Sequence, residues 1–354
     1  MKNIIKKQLK KAPYLKGLYE NIDFLKEGLE KSRELKHKEI ETKKLIEREL
    51  ERVKELRHID ATEKKAIAEE LEKYKTWVAP GHFYSPIPDI DEIKKKEKGI
   101  FGAIPAEIPG IDLRFEKQKK LLNELQKFYP EVPFKDKKTG SLRYFFENPA
   151  YSYADAVFLY LMLRHLRPKN IIEVGSGYSS CVMLDTNELF LGNKTSKTSL
   201  IFIELYPELL YSLIREDDKE NENIEIIPQN LQDIDLEKFS SLNAGDILFI
   251  DSTHVSKANS DVNYIFFKLL PSLKKGVYIH FHDIFYPFEY PKSWIYEGRA
   301  WNEDYMMRAF LQYNNDFEIV YFIDYMKKSY GEEIAKMMPL TTLNEGGGIW
   351  LRKK

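Results

Sequence analysis

Hydrophobic residues along this chain follow two different patterns. Up to residue 78, Leu, Ile and Val stand mostly singly among Lys, Glu and Arg; from residue 169 they gather in short blocks. The blocks read NIIEVG (170–175), SLIFIEL (199–205), IEIIP (224–228), DILFID (246–251), VYIHFHD (277–283), FEIVYFID (317–324) and GGIWLRK (347–353). Such runs, rich in Ile, Val and Phe and bounded by polar stretches, predict seven strands. The first five leave room for a helix between successive strands, which predicts an open α/β sheet with helices on both faces.

The segment before the sheet reads differently. Residues 15–78 predict a helix, because no Pro or Gly falls between Gly28 and Pro80 and good helix formers dominate. A heptad seam runs through Leu25, Leu29, Ile46, Leu50 and Val53, but Ser32, Lys36, Glu39 and Lys43 interrupt it. Two readings follow: a coiled-coil segment that makes a homo-oligomer, or a solvated helix laced by charge pairs. Residues 79–111, rich in Pro and Gly and carrying the KKKEK run at 94–98, predict an extended linker or lid. A short helix is expected near 113–128, then a buried helix in FFENPAYSYADAVFLYLMLRHLRP, ending near Pro168. The implied organisation is a charged helical segment (1–78), a linker or lid with a short helix (79–144) and a catalytic domain (145–354).

Composition narrows the class. Of 354 residues, 43% are hydrophobic and 13% aromatic, enough for a substantial core, and the net charge of -1 gives no basic field for nucleic acid. The single cysteine, Cys181, cannot form an internal disulfide. No run of about 18 apolar residues predicts a membrane span, and the basic N-terminus lacks the apolar stretch of a signal peptide. The expectation is a cytoplasmic protein without a nucleic-acid partner.

In an open α/β sheet, ligands bind beyond the carboxyl ends of the strands. The first strand runs into Glu173-Val-Gly175-Ser-Gly177-Tyr178-Ser-Ser180, where two glycines allow a tight turn and close approach of a ligand to the backbone. A dinucleotide fingerprint would place Gly or Ala at position 180, which here is Ser180. Glu204 closes the second strand, where a carboxylate can accept both hydroxyl hydrogens of a ribose. The fourth strand ends in Asp251-Ser-Thr-His254 and the fifth in His280-Phe-His282-Asp283, so three of the seven histidines lie within 254–282. Asp251, His282 and Asp283 can supply oxygen and nitrogen ligands to a divalent ion, while His254, one helical turn beyond Asp251, can take a proton. The plainer reading is that these His and Asp side chains only cap strands and pair with each other.

The E-x-G-x-G of residues 173–177 resembles the first motif of the class I S-adenosylmethionine-dependent methyltransferases. From about 145 to 354 the chain looks like the branch that includes the metal-dependent macrolide-sugar O-methyltransferases. The stretches carrying this resemblance are EVGSGYSS, IFIELYPE, GDILFIDSTH, GVYIHFHDIFYPFEYP and WNEDY. It implies a Rossmann-like seven-stranded methyltransferase sheet and S-adenosylmethionine held by Glu173, Gly175, Gly177, Tyr178, Glu204 and Asn230. Asn230 would touch the adenine edge, a place that Gln229, Gln232 or Asp233 could also fill. The resemblance further implies a divalent metal, Mg²⁺ or Mn²⁺, with His254 as base beside Asp251 and Asp283. His282 departs from the pattern, in which an acidic residue is usual, and imidazole suits Mn²⁺, Fe²⁺ or Zn²⁺ better than Mg²⁺.

The expected activity is O-methylation of a small-molecule hydroxyl, as of a sugar or glycan precursor. Trp294 and Trp301 could stack on a sugar face or pack a lid. Two rivals stand beside this: an Fe(II)-dependent oxygenase on the same fold, as in cephalosporin hydroxylase-like relatives, and a non-catalytic helical assembly protein with a ligand-binding domain.

Overall fold

The computed structural model describes residues 76–192 and 198–354. The heptad seam between Leu25 and Val53, and the self-association built on it, lie outside the described residues. The chain divides into two compact units, Met1–Gly102 with Ser293–Ala300, and Ala103–Lys292 with Trp301–Lys354.

In the first unit, Ile90–Phe101 is a 12-residue helix and includes the KKKEK run. This corrects the expectation of an extended linker there. The helix buries none of its residues, so local chemistry makes it. Asp89 Oδ1 accepts the N–H groups of Asp91 (2.9 Å) and Glu92 (3.1 Å). Lys96 pairs with Glu92 one turn earlier at 2.5 Å. An aspartate cap and i,i+4 pairing outweigh the surrounding prolines, which fall outside the helix.

The second unit holds a seven-stranded sheet: β1 (Asn170–Val174), β2 (Ser199–Ile203), β3 (Ile224–Ile227), β4 (Ile247–Ile250), β5 (Tyr278–His282), β6 (Phe317–Phe322) and β7 (Gly348–Lys353). Every expected strand is present. Their order is β3-β2-β1-β4-β5-β7-β6. The first five are parallel, whereas β7 lies antiparallel between β5 and β6. A dinucleotide-binding sheet has order 3-2-1-4-5-6 without that inserted strand. The runs at the centre of the sheet reflect burial on both faces, as parallel strands require: all four residues of β4 are buried, whereas edge strand β3 buries none. Strand order reverses between β1 and β4, which makes their carboxyl ends the switch point where a crevice opens.

Two devices position that crevice. The helix Tyr153–Leu166 buries ten consecutive residues, Ala154 to Leu163, and stops at Arg167, which is left-handed at φ 48°. Its buried Asp155 accepts Gly347 N–H (2.9 Å) and Asn344 Nδ2–H (3.0 Å), tying the helix start to the turn before β7. The second device is Arg143, 5% exposed, whose guanidinium meets Asp185 Oδ1 at 2.7 Å and Asp218 Oδ1 at 2.5 Å. Asp185 Oδ2 also accepts the N–H groups of Arg143 and Tyr144, each at 2.9 Å. Removing one partner of such a buried group strands the others. Arg143→Met is expected to cost about 3–5 kcal/mol in denaturant unfolding; a loss below about 1 kcal/mol would reduce the cluster to the rank of a surface pair.

Candidate active site

The turn after β1 needs glycine. Gly175 has φ +80°, and a Cβ there would overlap the carbonyl oxygen of Asp251 on the neighbouring strand. That close approach seals the base of a cleft of about 280 Å³, with Gly175, Glu204, Asn230 and Asp251 in its walls. Glu204 is held by two backbone donors, Ser176 N–H (3.2 Å) and Tyr206 N–H (2.9 Å), which leave its remaining lone pairs to the cleft. Asn230 donates to Asp233 at 3.0 Å, and the alternatives Gln229 and Gln232 line the same wall.

Glu173 sits elsewhere. Its carboxylate is fully buried and takes the hydroxyls of Ser179 (2.5 Å) and Ser180, in the first turn of the helix Tyr178–Thr186. Ser180 Oγ in turn accepts Gly177 N–H at 3.0 Å. Glu173 therefore braces the glycine turn from beneath. Tyr178 packs edge-on against Phe145 at 5.8 Å.

The residues after β4 and β5 converge on His254. Its Nε2 lies 3.3 Å from Asp251 Oδ1 and 3.8 Å from Asp283 Oδ2, while its Nδ1 meets Glu303 Oε2 at 2.8 Å. No helical turn follows β4, contrary to the expectation that a turn would align Asp251 with His254. Residues 251–257 are irregular and His254 is left-handed at φ 59°. The start of the helix Glu303–Leu311 imposes this conformation. The His254 carbonyl accepts the N–H groups of Asn302 (3.1 Å) and Glu303 (3.2 Å), and Asn302 Oδ1 accepts Ser256 N–H at 2.6 Å.

Burial opposes charge on the His254 ring, but the hydrogen bonds to Asp251 and Glu303 win and hold its pKa well above the ordinary value. Carboxylates on both ring nitrogens favour the imidazolium. Burial pushes Asp283 up to about 6, against the pull of His282 and His254.

The other histidines divide. His282 Nε2 lies 3.4 Å from Asp283 Oδ1, and its pKa is raised by Asp283 and Asp251 against burial. His280 is wedged between Phe249 (4.5 Å) and Trp350 (4.7 Å), and burial drives it well below its usual value, so it is a neutral core ring. Trp301 lays its ring against His254 at 4.4 Å between centroids, and Trp294, in the other unit, stacks on Arg299 at 4.2 Å.

As to a metal, the donor set of Asp251, Asp283 and His282 suits a divalent ion in chemistry. Its arrangement is another matter: the His254 ring faces both carboxylates, and among the described residues no three His, Cys, Asp or Glu side chains are disposed to hold an ion as they stand. Sequence reasoning missed Glu303. The only signal was an acidic pair inside WNEDY, 49 residues beyond His254.

Comparison with known proteins supplies the family. Residues 172–284 match the family described as a methyltransferase domain. An uncharacterised protein of Archaeoglobus fulgidus is 36% identical over 169 residues, which is 46% of this chain and 72% of that protein. The chain belongs to one family with this archaeal protein, and its residues 172–284 carry the methyltransferase-domain match. Solved structures are similar more loosely. An SAH-bound methyltransferase of Podospora anserina shares 14% identity over 79% of this chain and 100% of its own, with a TM-score of 0.37. An O-methyltransferase of Bacillus cereus in complex with SAH shares 14% over 75% and 100%, at 0.36. The matched segment ends at Ile284, so it includes Glu204, Asp251, His254 and Asp283 but not Glu303.

The buried Glu173 gives the turn a pH signature. Burial raises its pKa from 4.5 to about 8, so the folded chain binds a proton that the unfolded chain releases between those values. Stability from this group therefore falls as pH rises through that window. Glu173→Gln is expected to flatten the decline in Tm between pH 5 and pH 8, measured at several pH values against the wild type. Parallel curves would show that Glu173 is ionised in the folded state.

Proposed function

We propose that this chain is an S-adenosylmethionine-dependent O-methyltransferase that acts on a hydroxyl, as of a sugar or glycan precursor. One observation carries the reading: Asp251 stands in the wall of the Glu204 cleft and also contacts the His254 ring, so the cleft and the histidine share a side chain. The strand order, with its antiparallel β7, supports a methyltransferase over a dinucleotide enzyme.

The residues present fit the methyl donor. Glu204 would take the ribose hydroxyls, Asn230 or its Gln neighbours the adenine edge, and the turn at Gly175 would let the ligand approach the backbone. S-adenosylmethionine bound there would supply an electrophilic methyl group, and Asp251, Asp283 and His282, once rearranged around a divalent cation, would hold a charge that acidifies a hydroxyl. His254 Nε2 takes the proton that the acceptor oxygen gives up as its new bond to the methyl carbon forms. The carbon–sulfur bond breaks with its electron pair going to sulfur. His254 works as a base once the negative charge of Asp251 is compensated, because Asp251 together with Glu303 keeps the ring protonated.

The test is transfer of label from S-adenosylmethionine to a panel of saccharides and lipid-linked glycans, with and without chelator. Transfer that chelation suppresses is expected; undiminished transfer after exhaustive chelation removes the metal from the mechanism. His254→Ala should lose roughly 100- to 10,000-fold in rate while keeping its affinity for the donor, and Glu204→Ala should lose affinity in calorimetry. Binding of a nicotinamide dinucleotide in place of S-adenosylmethionine would overturn the reading.

A further inference from the structure

The geometry around His254 leaves one participant without a role: Glu303. This carboxylate is fully buried, at the first position of the helix Glu303–Leu311. Both its oxygens are engaged, Oε1 by the Ser252 hydroxyl at 3.0 Å and Oε2 by His254 Nδ1 at 2.8 Å. Ser252 also accepts the His254 N–H at 3.2 Å, so the same hydroxyl links the backbone and the carboxylate that grip one residue. The N–H groups of Asn302 and Glu303 donate to the His254 carbonyl. One helix start thus fastens the histidine at its ring, its N–H and its carbonyl.

We infer that Glu303 is a positioning residue for the His254 base: by accepting the proton on Nδ1 it fixes the ring orientation and presents Nε2 to the acceptor. The inference rests on the proposed methyl transfer and adds the group through which the base is aimed. An imidazole can flip about its χ2 bond, which puts a ring carbon where each nitrogen stood, and a hydrogen bond to Nδ1 holds the flip that leaves Nε2 facing the reaction. Here the nitrogen facing away from Asp251 and Asp283 is bonded to a buried carboxylate, while Trp301 packs against the ring at 4.4 Å. The left-handed backbone at φ 59° is a strained conformation for histidine, and it is held by bonds from the helix that carries Glu303. A buried ion pair is by itself a poor stabiliser compared with apolar packing. A placement at the only ring nitrogen not turned towards Asp251 and Asp283 is what orientation requires.

The experiment uses the full chain with ¹⁵N-labelled histidine, comparing wild type, Glu303→Gln and Glu303→Ala. The ring N–H resonances are assigned to His254 by their loss in His254→Gln. The nearly isosteric Glu303→Gln is the main variant, because it keeps the cavity filled if Glu303→Ala does not fold. In Glu303→Gln the Nδ1–H resonance is expected to move or vanish, with kcat down about 10- to 100-fold, the usual cost of losing the partner that orients an active histidine. KM and affinity for S-adenosylmethionine should hold, and Glu303→Asp should recover part of the rate. A wild-type ring signal together with wild-type kcat in Glu303→Gln would overturn the inference, as would parallel losses of kcat, donor affinity and Tm, which mark a purely structural role. If the wild type transfers no methyl group to any acceptor, the proposed function falls, and the ring resonance alone still decides whether Glu303 holds His254.

Discussion

The site is organised around the place where β1 and β4 pass each other in parallel. Asp251 N–H donates to the Val174 carbonyl at 2.8 Å, and Gly175 turns away immediately afterwards with no side chain in the path of the Asp251 carbonyl. Close backbone approach at this point lets the strand-four loop start directly beside the strand-one turn. Glu204, one strand over, is then tied in by Ser176 N–H. A side chain at position 175 would separate the two strand ends, and the cleft wall would lose the continuity from Glu204 to Asp251. The cleft is therefore a consequence of sheet geometry at the switch point more than of any individual ligand-binding side chain.

Electrostatics at His254 follow from that placement. Three carboxylates, Asp251, Asp283 and Glu303, surround one imidazole that is 5% exposed. Water would screen such a gathering of negative charge at the surface; in a buried setting the ring must supply the compensating positive charge. Glu303 and Asp251 occupy opposite ring nitrogens, so orientation and charge stabilisation are provided by different elements, the helix Glu303–Leu311 and the end of β4.

The family match and the residues of the site bear on different questions. The methyltransferase-domain match over residues 172–284 covers the cleft together with Asp251, His254 and Asp283. Glu303 and Trp301, which contact His254 from the far side, lie beyond that segment. The groups that hold His254 from outside the matched segment are thus supplied by a stretch whose character in this chain is aromatic and acidic, between β5 and β6.

Much of the fold was legible because strands at the centre of a sheet, buried on both faces, demand unbroken apolar runs, and all seven runs are strands. The strand-end residues Gly175, Glu204, Asp251, His254 and Asp283 were legible for the same reason: a strand that ends in a buried sheet delivers its next residues to one edge. The helix at Ile90–Phe101 was missed because its signal is a single capping aspartate among prolines, and nothing in it is buried. Sequence alone therefore determined which residues end the strands and which chemistry they carry, since both follow from local pattern. Tertiary structure decided what each does there. Glu173 went beneath the turn because two serine hydroxyls satisfied its carboxylate, His280 into the core between two aromatic rings, and Glu303, 49 residues away, onto His254. These outcomes depend on which distant group reaches a buried polar atom first, and no spacing along the chain encodes that.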